Sequence, residues 1–203
     1  MSPRTSSWPC SACALSLCRE NEEELDGWEK RSLEDTQLQE KINQVFLEAY
    51  NLYSSANKNI DLKIDDLIRL TIYTQIVSGM NYRVTFIDRK AELPVVQEYE
   101  FYNPLPANNN GKDELKLSKN NECVPSAGLL NFKDDDFTKI ESKLYNILKK
   151  QNEKLNYIIY AYPIETQDYK FFIINADTGE GQFLYVLGKG LKSKDFDVFH
   201  KIK

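Results

Sequence analysis

Residues able to carry out histidine or cysteine chemistry are few in this chain of 203 residues. The single histidine, His200, lies close to the C-terminus, where side chains are usually exposed and mobile. A Cys-His or Ser-His nucleophile, or a histidine-rich metal site, would have to be built around that one terminal side chain. Carboxylates and lysines could still catalyse a reaction, but no pair of them is distinguished by its spacing. We therefore expect a protein that is not an enzyme and that needs no metal and no cofactor.

The four cysteines are spread unevenly along the chain. Cys10 and Cys13 have the C-x-x-C spacing, and Cys18 follows them closely. A redox role for this spacing needs a strand-to-helix context, and a zinc site needs a second pair of ligands; the surrounding sequence predicts neither. Arg4, a short run of small residues and an acidic run are instead typical of a weak secretory leader, so we interpret residues 1–21 as a leader or a disordered segment. This interpretation favours secretion, and a cytoplasmic location is the alternative.

Composition and charge narrow the range of partners. The chain is 41% hydrophobic and 12% aromatic, which is enough apolar material for a packed core. Its formal net charge is −5, with acidic and basic residues interspersed, whereas nucleic acids and anionic membranes favour a basic patch. No apolar run approaches the roughly 20 residues of a transmembrane helix. We expect neither a nucleic acid nor a membrane as a partner.

Residues 22–125 have the pattern of one helix followed by antiparallel strands. Apolar residues recur at steps of three and four from Leu38 to Tyr53, which predicts an amphipathic helix. Alternating apolar and polar residues then predict strands with one face on the helix and the other face in water. The predicted strands cover residues 68–73, 82–87, 97–102 and 114–118.

Residues 126–203 repeat this order of elements with different residues. A helical stripe runs from Phe137 to Leu148, and three strand-like segments follow it. "ADTGEG" separates the last two strands and is a hairpin signal. A recurring order of elements at a spacing of about 100 residues indicates a duplicated domain. The alternative is an unrelated second α+β unit.

A five-residue stretch, Gln75-Ile76-Val77-Ser78-Gly79, interrupts the first pair of strands at a predicted hairpin tip. Gly79 allows either a positive φ or a close approach to another backbone. Val77 offers a compact apolar contact, and Gln75 can hydrogen-bond within the loop or across an interface. None of these is a usual catalytic group. A narrow tip of mostly backbone atoms is suited to entering a groove on another protein.

The stretch resembles the Q-x-V-x-G hairpin of the cystatins, which are protein inhibitors of papain-like cysteine proteases. Two separate features agree with the resemblance. Gly27-Trp28 stands ahead of the first helix, where the family has its N-terminal glycine. Pro104-Leu105 follows the third predicted strand, where the family has its second hairpin, usually Pro-Trp. The resemblance covers residues 25–124 and continues faintly to the end of the chain.

The resemblance implies an α+β, cystatin-like fold, with one helix packed across an antiparallel sheet, in two tandem copies. Residues 22–125 would be the inhibitory domain and residues 126–203 a degenerate copy. The implied function is reversible, tight-binding inhibition of papain-like, cathepsin-type cysteine proteases, in which an N-terminal segment and two hairpins block the cleft without a covalent step. A non-inhibitory binding module is the alternative, and strand exchange through the first hairpin would give a domain-swapped dimer. The residues implied to contact the protease are Gly27, Trp28, Gln75, Ile76, Val77, Ser78, Gly79, Pro104 and Leu105.

The chain also departs from the family in ways that carry expectations. Leu105 replaces the usual tryptophan of the second hairpin. Cys123 matches one end of a disulfide in secreted relatives but has no cysteine partner, which leaves a free thiol or an intermolecular bond. Trp28 packs on the helix or contacts the partner. In the second half, Gln167 is followed directly by Asp168, so the hairpin tip is shortened; we expect this half to fold separately and not to inhibit.

Overall fold

A computed structural model of the chain describes residues 27–57, 63–91, 94–105, 114–125 and 128–202. The predicted leader or disordered segment, residues 1–21, lies outside them. In chain order the elements are β1 (Trp28–Arg31), α1 (Gln39–Ala56), a 3-10 turn (Ile64–Asp66), β2 (Leu67–Ile76), β3 (Gly79–Asp88), β4 (Val96–Pro104), β5 (Lys116–Cys123), α2 (Asp135–Lys150), β6 (Leu155–Glu165), β7 (Tyr169–Thr178), β8 (Gly181–Gly190) and β9 (Val198–Lys201).

The strands form two antiparallel sheets in which neighbours in sequence are neighbours in space. The first sheet has the order β1-β2-β3-β4-β5, and the second has the order β6-β7-β8-β9. Among the described residues, no helix is long and apolar enough to cross a membrane.

Each α-helix covers the outer face of one sheet. The apolar stripe of α1 packs on β2, β3 and β4, where Phe46 meets Val84 and Phe86 in one buried cluster. The stripe of α2 packs on β6, β7 and β8, with Leu144 and Phe172 in a second cluster. Both helices were predicted from their periodicity, and both are confirmed.

The inner faces of the two sheets meet and enclose a third buried cluster. Both sheets contribute hydrophobic side chains to this cluster, and more of them come from the second sheet. Tyr162 Oη donates a hydrogen bond to the Pro94 carbonyl across the two sheets, at 3.1 Å. The buried members from the first sheet are Trp28, Leu70, Tyr73, Ile87 and Val96, and those from the second include Ile164, Tyr169, Phe171, Ile173 and Val186.

The prediction of an α+β, cystatin-like fold in two tandem copies is wrong. Strands make up 48% of the described residues, which form nine strands in two antiparallel sheets and only two α-helices. Each sheet has a buried cluster with its own helix, but the two sheets also share the central cluster, so these residues do not form two tandem units with entirely separate cores. The predicted boundary at residue 125 falls between β5 and α2 and stays a prediction.

The water-facing sheet face was predicted wrongly because its polar residues pair with one another out of water. Thr71 and Thr85 form a buried hydroxyl–hydroxyl hydrogen bond of 2.6 Å between β2 and β3. Buried Arg83 lies on the same face and pairs with two carboxylates. A polar residue in an alternating strand can therefore face a second sheet when its hydrogen bonds are satisfied there. A bulge between Arg69 and Thr71 also moves Leu70 to this inner face.

His200 and Cys123, the two residues considered above for reactivity, both belong to β-strands. His200 belongs to β9 and pairs with Val186, and burial lowers the pKa of its imidazole. Cys123 is a free cysteine at the end of β5, and burial raises the pKa of its thiol to about 11. At neutral pH this thiol is protonated and unreactive.

Candidate functional site

The three segments predicted to contact a protease lie at one end of the first sheet. Trp28 pairs with Gln75, which places the start of β1 beside the β2–β3 tip. Gly79 pairs with Pro104, which places the end of β4 on the other side of that tip. The antiparallel order of β1 to β4 therefore aligns the three segments in a row. We call this row the sheet-end edge: Gly27, residues 75–79 and residues 104–105.

Three exposed side chains of the sheet-end edge are large and apolar. Ile76 is 76% exposed, Val77 44% and Leu105 52%. Gly27 and Ser78 are also exposed. Such side chains gain free energy when a partner removes them from water. The edge can therefore bind through its shape and its apolar surface.

Side-chain hydrogen bonds hold the β2–β3 tip in place. Asn81 Nδ2 donates to Gln75 Oε1 at 2.9 Å, which ties β2 to β3 just below the tip. Tyr102 Oη donates to the Ser78 carbonyl at 3.0 Å and lies 3.3 Å from Ser78 Oγ. Gln75 thus bonds within the hairpin, and Tyr102 links the tip to β4. A tip that is ordered before binding loses less conformational entropy on binding.

Gly79 is required for close packing rather than for an unusual backbone angle. A Cβ atom at this position would lie 2.3 Å from the Asn103 carbonyl oxygen and 3.0 Å from Pro104 Cα. Gly79 does not have a positive φ; Gly27 does, at 79°. Of the two roles considered for Gly79, close approach to a neighbouring backbone is the one found. Gly79 and Pro104 are buried and shape the edge from behind.

Trp28 does not lie on the exposed surface. It is 8% exposed and packs in the central cluster between the sheets. The guanidinium carbon of Arg83 lies 4.1 Å from the centre of its ring, a cation–π contact. Trp28 therefore packs neither on the helix nor at the exposed edge, and its side chain supports the edge from inside.

The charged contacts that join the two sheets were not predicted from the sequence. Arg83 forms a buried ion pair with Asp168 in the β6–β7 turn, and its Nε donates to Glu100 at 2.9 Å. Burial lowers the pKa of the Arg83 guanidinium, but Asp168 and Glu100 more than offset this and leave it above its usual value. No local signal pairs residues that are 85 positions apart. The nearest hint was the shortened tip that carries Asp168.

A second charged contact joins β1 to the second sheet. Lys30 Nζ lies 2.5 Å from Asp197 Oδ2 and donates to the Tyr169 hydroxyl. Tyr169 Oη in turn donates to Asp197 at 2.6 Å. Burial, together with Asp197, raises the pKa of Tyr169, so this phenol stays protonated at neutral pH.

The arrangement offers no reaction chemistry at the sheet-end edge. Its exposed side chains are isoleucine, valine, serine and leucine, and no titratable group stands among them. Within the described residues, no group of three or more histidine, cysteine, aspartate or glutamate side chains is placed to hold a metal ion. The edge can bind a partner by contact.

Comparison with protein-family models finds no match, and comparison with curated proteins finds none either.

Proposed function

We propose that this protein is a reversible, tight-binding inhibitor of papain-like cysteine proteases and that it inserts the sheet-end edge into the active-site cleft. The observation that carries the proposal is the alignment of Gly27, the β2–β3 tip and Leu105 at one end of the sheet. The Q-x-V-x-G resemblance of the tip supports the class of target. The proposal does not depend on the cystatin-like fold, which the structure contradicts.

The geometry suits a groove-shaped partner. A protease cleft binds extended peptides, and a row of three narrow segments can fill such a groove along its length. Ile76, Val77 and Leu105 would enter it as apolar contacts, since they are the exposed apolar side chains of the row. The Gln75–Asn81 and Tyr102–Ser78 hydrogen bonds keep the tip in one conformation. A rigid tip also resists cleavage because its peptide bonds are not free to align with a nucleophile.

Titration of papain with the full-length chain tests the proposal. We expect loss of activity in proportion to the added inhibitor, reversible on dilution. Ile76→Asp should weaken inhibition about tenfold to a hundredfold, because burying one large aliphatic side chain is worth about 1.5–3 kcal/mol. Leu129→Asp is the matched control, since Leu129 is 69% exposed and lies beside the second sheet. Unchanged papain activity at micromolar protein would refute inhibition.

A non-inhibitory binding module that uses the same edge is the second candidate. The burial of Trp28 favours it, because one of the implied protease contacts is absent from the surface. This candidate predicts that papain remains active, whereas Ile76→Asp still abolishes binding to the protein's own partner. Pull-down from a protease-free extract with the wild type and with Ile76→Asp would identify such a partner by difference.

A further inference from the structure

We propose that the second sheet positions the N-terminal part of the sheet-end edge, through Asp168, Tyr169 and Asp197. These residues hold β1 against β2 and so place Gly27 beside the hairpin tip. Residues 126–203, for which sequence analysis found no inhibitory surface, then have a role in the site itself. Their effect on inhibition rests on the proposed function, whereas their effect on β1 does not.

Within the first sheet, β1 has little to hold it. It is a four-residue strand that, among the described residues, lies at the edge of the sheet and pairs with β2 alone. Edge strands of this length make few ladder hydrogen bonds and open readily. The other two segments of the sheet-end edge are carried by longer strands that pair on both sides: β2 and β3 have ten residues each, and β4 has nine. Gly27 is therefore the part of the edge that most needs support from elsewhere.

The second half of the chain acts on β1 at two alternate residues, at Trp28 through Arg83 of β3 and directly at Lys30. Residues two apart in a strand point to the same face, which here is the face toward the second sheet. At the first, Arg83 covers the Trp28 ring and is held by Asp168. At the second, Lys30 is held by Asp197 and the Tyr169 hydroxyl. Lys30 is thus held directly by Asp197 and Tyr169, and Trp28 is held through Arg83, which Asp168 fixes.

The shortened β6–β7 tip is what places Asp168 in the interior. The Thr166 amide donates to the Tyr169 carbonyl at 2.8 Å, which closes a tight turn. Asp168 sits in this turn and is buried, and the Leu191 amide donates to its carbonyl at 2.9 Å. The short β6–β7 turn therefore places the Asp168 carboxylate in the interior, where it pairs with Arg83.

Asp168→Asn and Asp197→Asn in the full-length chain test the proposal, alone and together. Asp177→Asn is the matched control, because Asp177 lies in β7 and pairs with Asn156 within the second sheet. Hydrogen exchange is measured by mass spectrometry on the peptide covering residues 27–31. We expect exchange in this peptide to rise about tenfold in the double variant and to stay unchanged in the control, while β3 and β7 remain protected.

The fluorescence of Trp28 gives a second readout that a general loss of stability does not imitate. The chain has two tryptophans, so Trp8→Phe leaves Trp28 as the only reporter. Its emission should shift to the red and become quenchable by acrylamide in the Asp168→Asn and Asp197→Asn variants, at temperatures where circular dichroism shows a folded protein. Asp168→Glu, which restores the charge, should move the emission back toward the wild type.

The outcomes separate this inference from the proposed function. Unchanged β1 exchange and unchanged Trp28 emission in the double variant would overturn the positioning role. Equal acceleration of exchange in β1, β3 and β7 would also overturn it, since it would show general destabilisation. If the wild type inhibits papain, the double variant should inhibit about fivefold to tenfold more weakly. If the wild type does not inhibit, the proposed function fails, and the exchange and fluorescence results still decide the inference.

Discussion

At the scale of single residues, Gly79 shows how a motif glycine can serve the fold rather than the partner. It is buried, and the Asn103 carbonyl occupies the space that a side chain would need. The exposed contacts belong to its neighbours Ile76 and Val77. A large substitution at Gly79 would therefore disturb the sheet, so a loss of inhibition in such a variant would not prove contact with a protease.

Gly79→Ala should destabilise the protein by about 1–3 kcal/mol, because the added methyl group overpacks the β3–β4 contact. Gly128→Ala is the matched control, since nothing lies within 4 Å of the position that its Cβ would occupy. Urea unfolding followed by circular dichroism measures both variants. Equal stability of Gly79→Ala and the wild type would show that β4 moves away without cost.

At the scale of elements, β4 carries a carboxyl group that is only partly satisfied. Glu98 is buried, and Asn121 Nδ2 donates to its Oε1 at 3.2 Å, whereas Oε2 has no hydrogen-bond partner in the described part of the chain. Burial raises the pKa of Glu98, and Asn121 and Arg83 offset only part of this rise. The folded state therefore holds the proton more tightly than the unfolded state does.

Because the pKa of Glu98 is raised by folding, the free energy of unfolding falls as the pH rises. The stabilising contribution is complete below the unfolded pKa of Glu98 and is lost as the pH rises through the folded pKa. The wild type should therefore lose more stability than Glu98→Gln does as the pH rises above the unfolded pKa of Glu98. Urea unfolding at several pH values measures the difference, with Glu114→Gln, an exposed position, as the control. The same pH dependence in all three proteins would contradict the prediction.

Elements with a long pattern were predictable from the sequence, and short or buried ones were not. The stripes of α1 and α2 and the alternation of β2 and β3 span enough residues to show their period. β1 and β9 have four residues each, which is too short for a period to be recognised. The hairpin stretch of the sheet-end edge could be recognised because its motif is local, and its contact with a protease stays a prediction. Its support by Asp168 was not, because that contact depends on how the sheets pack.

At the scale of the whole molecule, the shared core makes each half depend on the other. Trp28, Leu70, Tyr73, Ile87 and Val96 of the first sheet are buried against the second. Exposing five large apolar side chains would cost on the order of 10 kcal/mol, which is comparable to the total stability of a typical domain. The shared cluster therefore argues against the expectation that residues 126–203 fold separately.

Residues 22–125 expressed alone should not form a stable monomer. We expect self-association or a non-cooperative thermal transition, and papain inhibition well below that of the full chain. Sedimentation and circular dichroism measure both properties, and adding residues 126–203 as a separate chain should restore a cooperative transition. A monomeric fragment that unfolds cooperatively and inhibits papain like the full chain would contradict this prediction.

The contacts that fix β1 also determine when, during synthesis of the chain, this strand can be fixed. Lys30 meets Tyr169 and Asp197, which lie 139 and 167 positions further along the chain. Contacts between such distant residues form late, because the intervening chain must first be brought together. A ribosome releases β1 long before Asp197 is made. β1, the first strand of the described residues to be synthesised, can therefore be fixed at Lys30 only after the chain has been made as far as Asp197, and until then the sheet-end edge lacks that support.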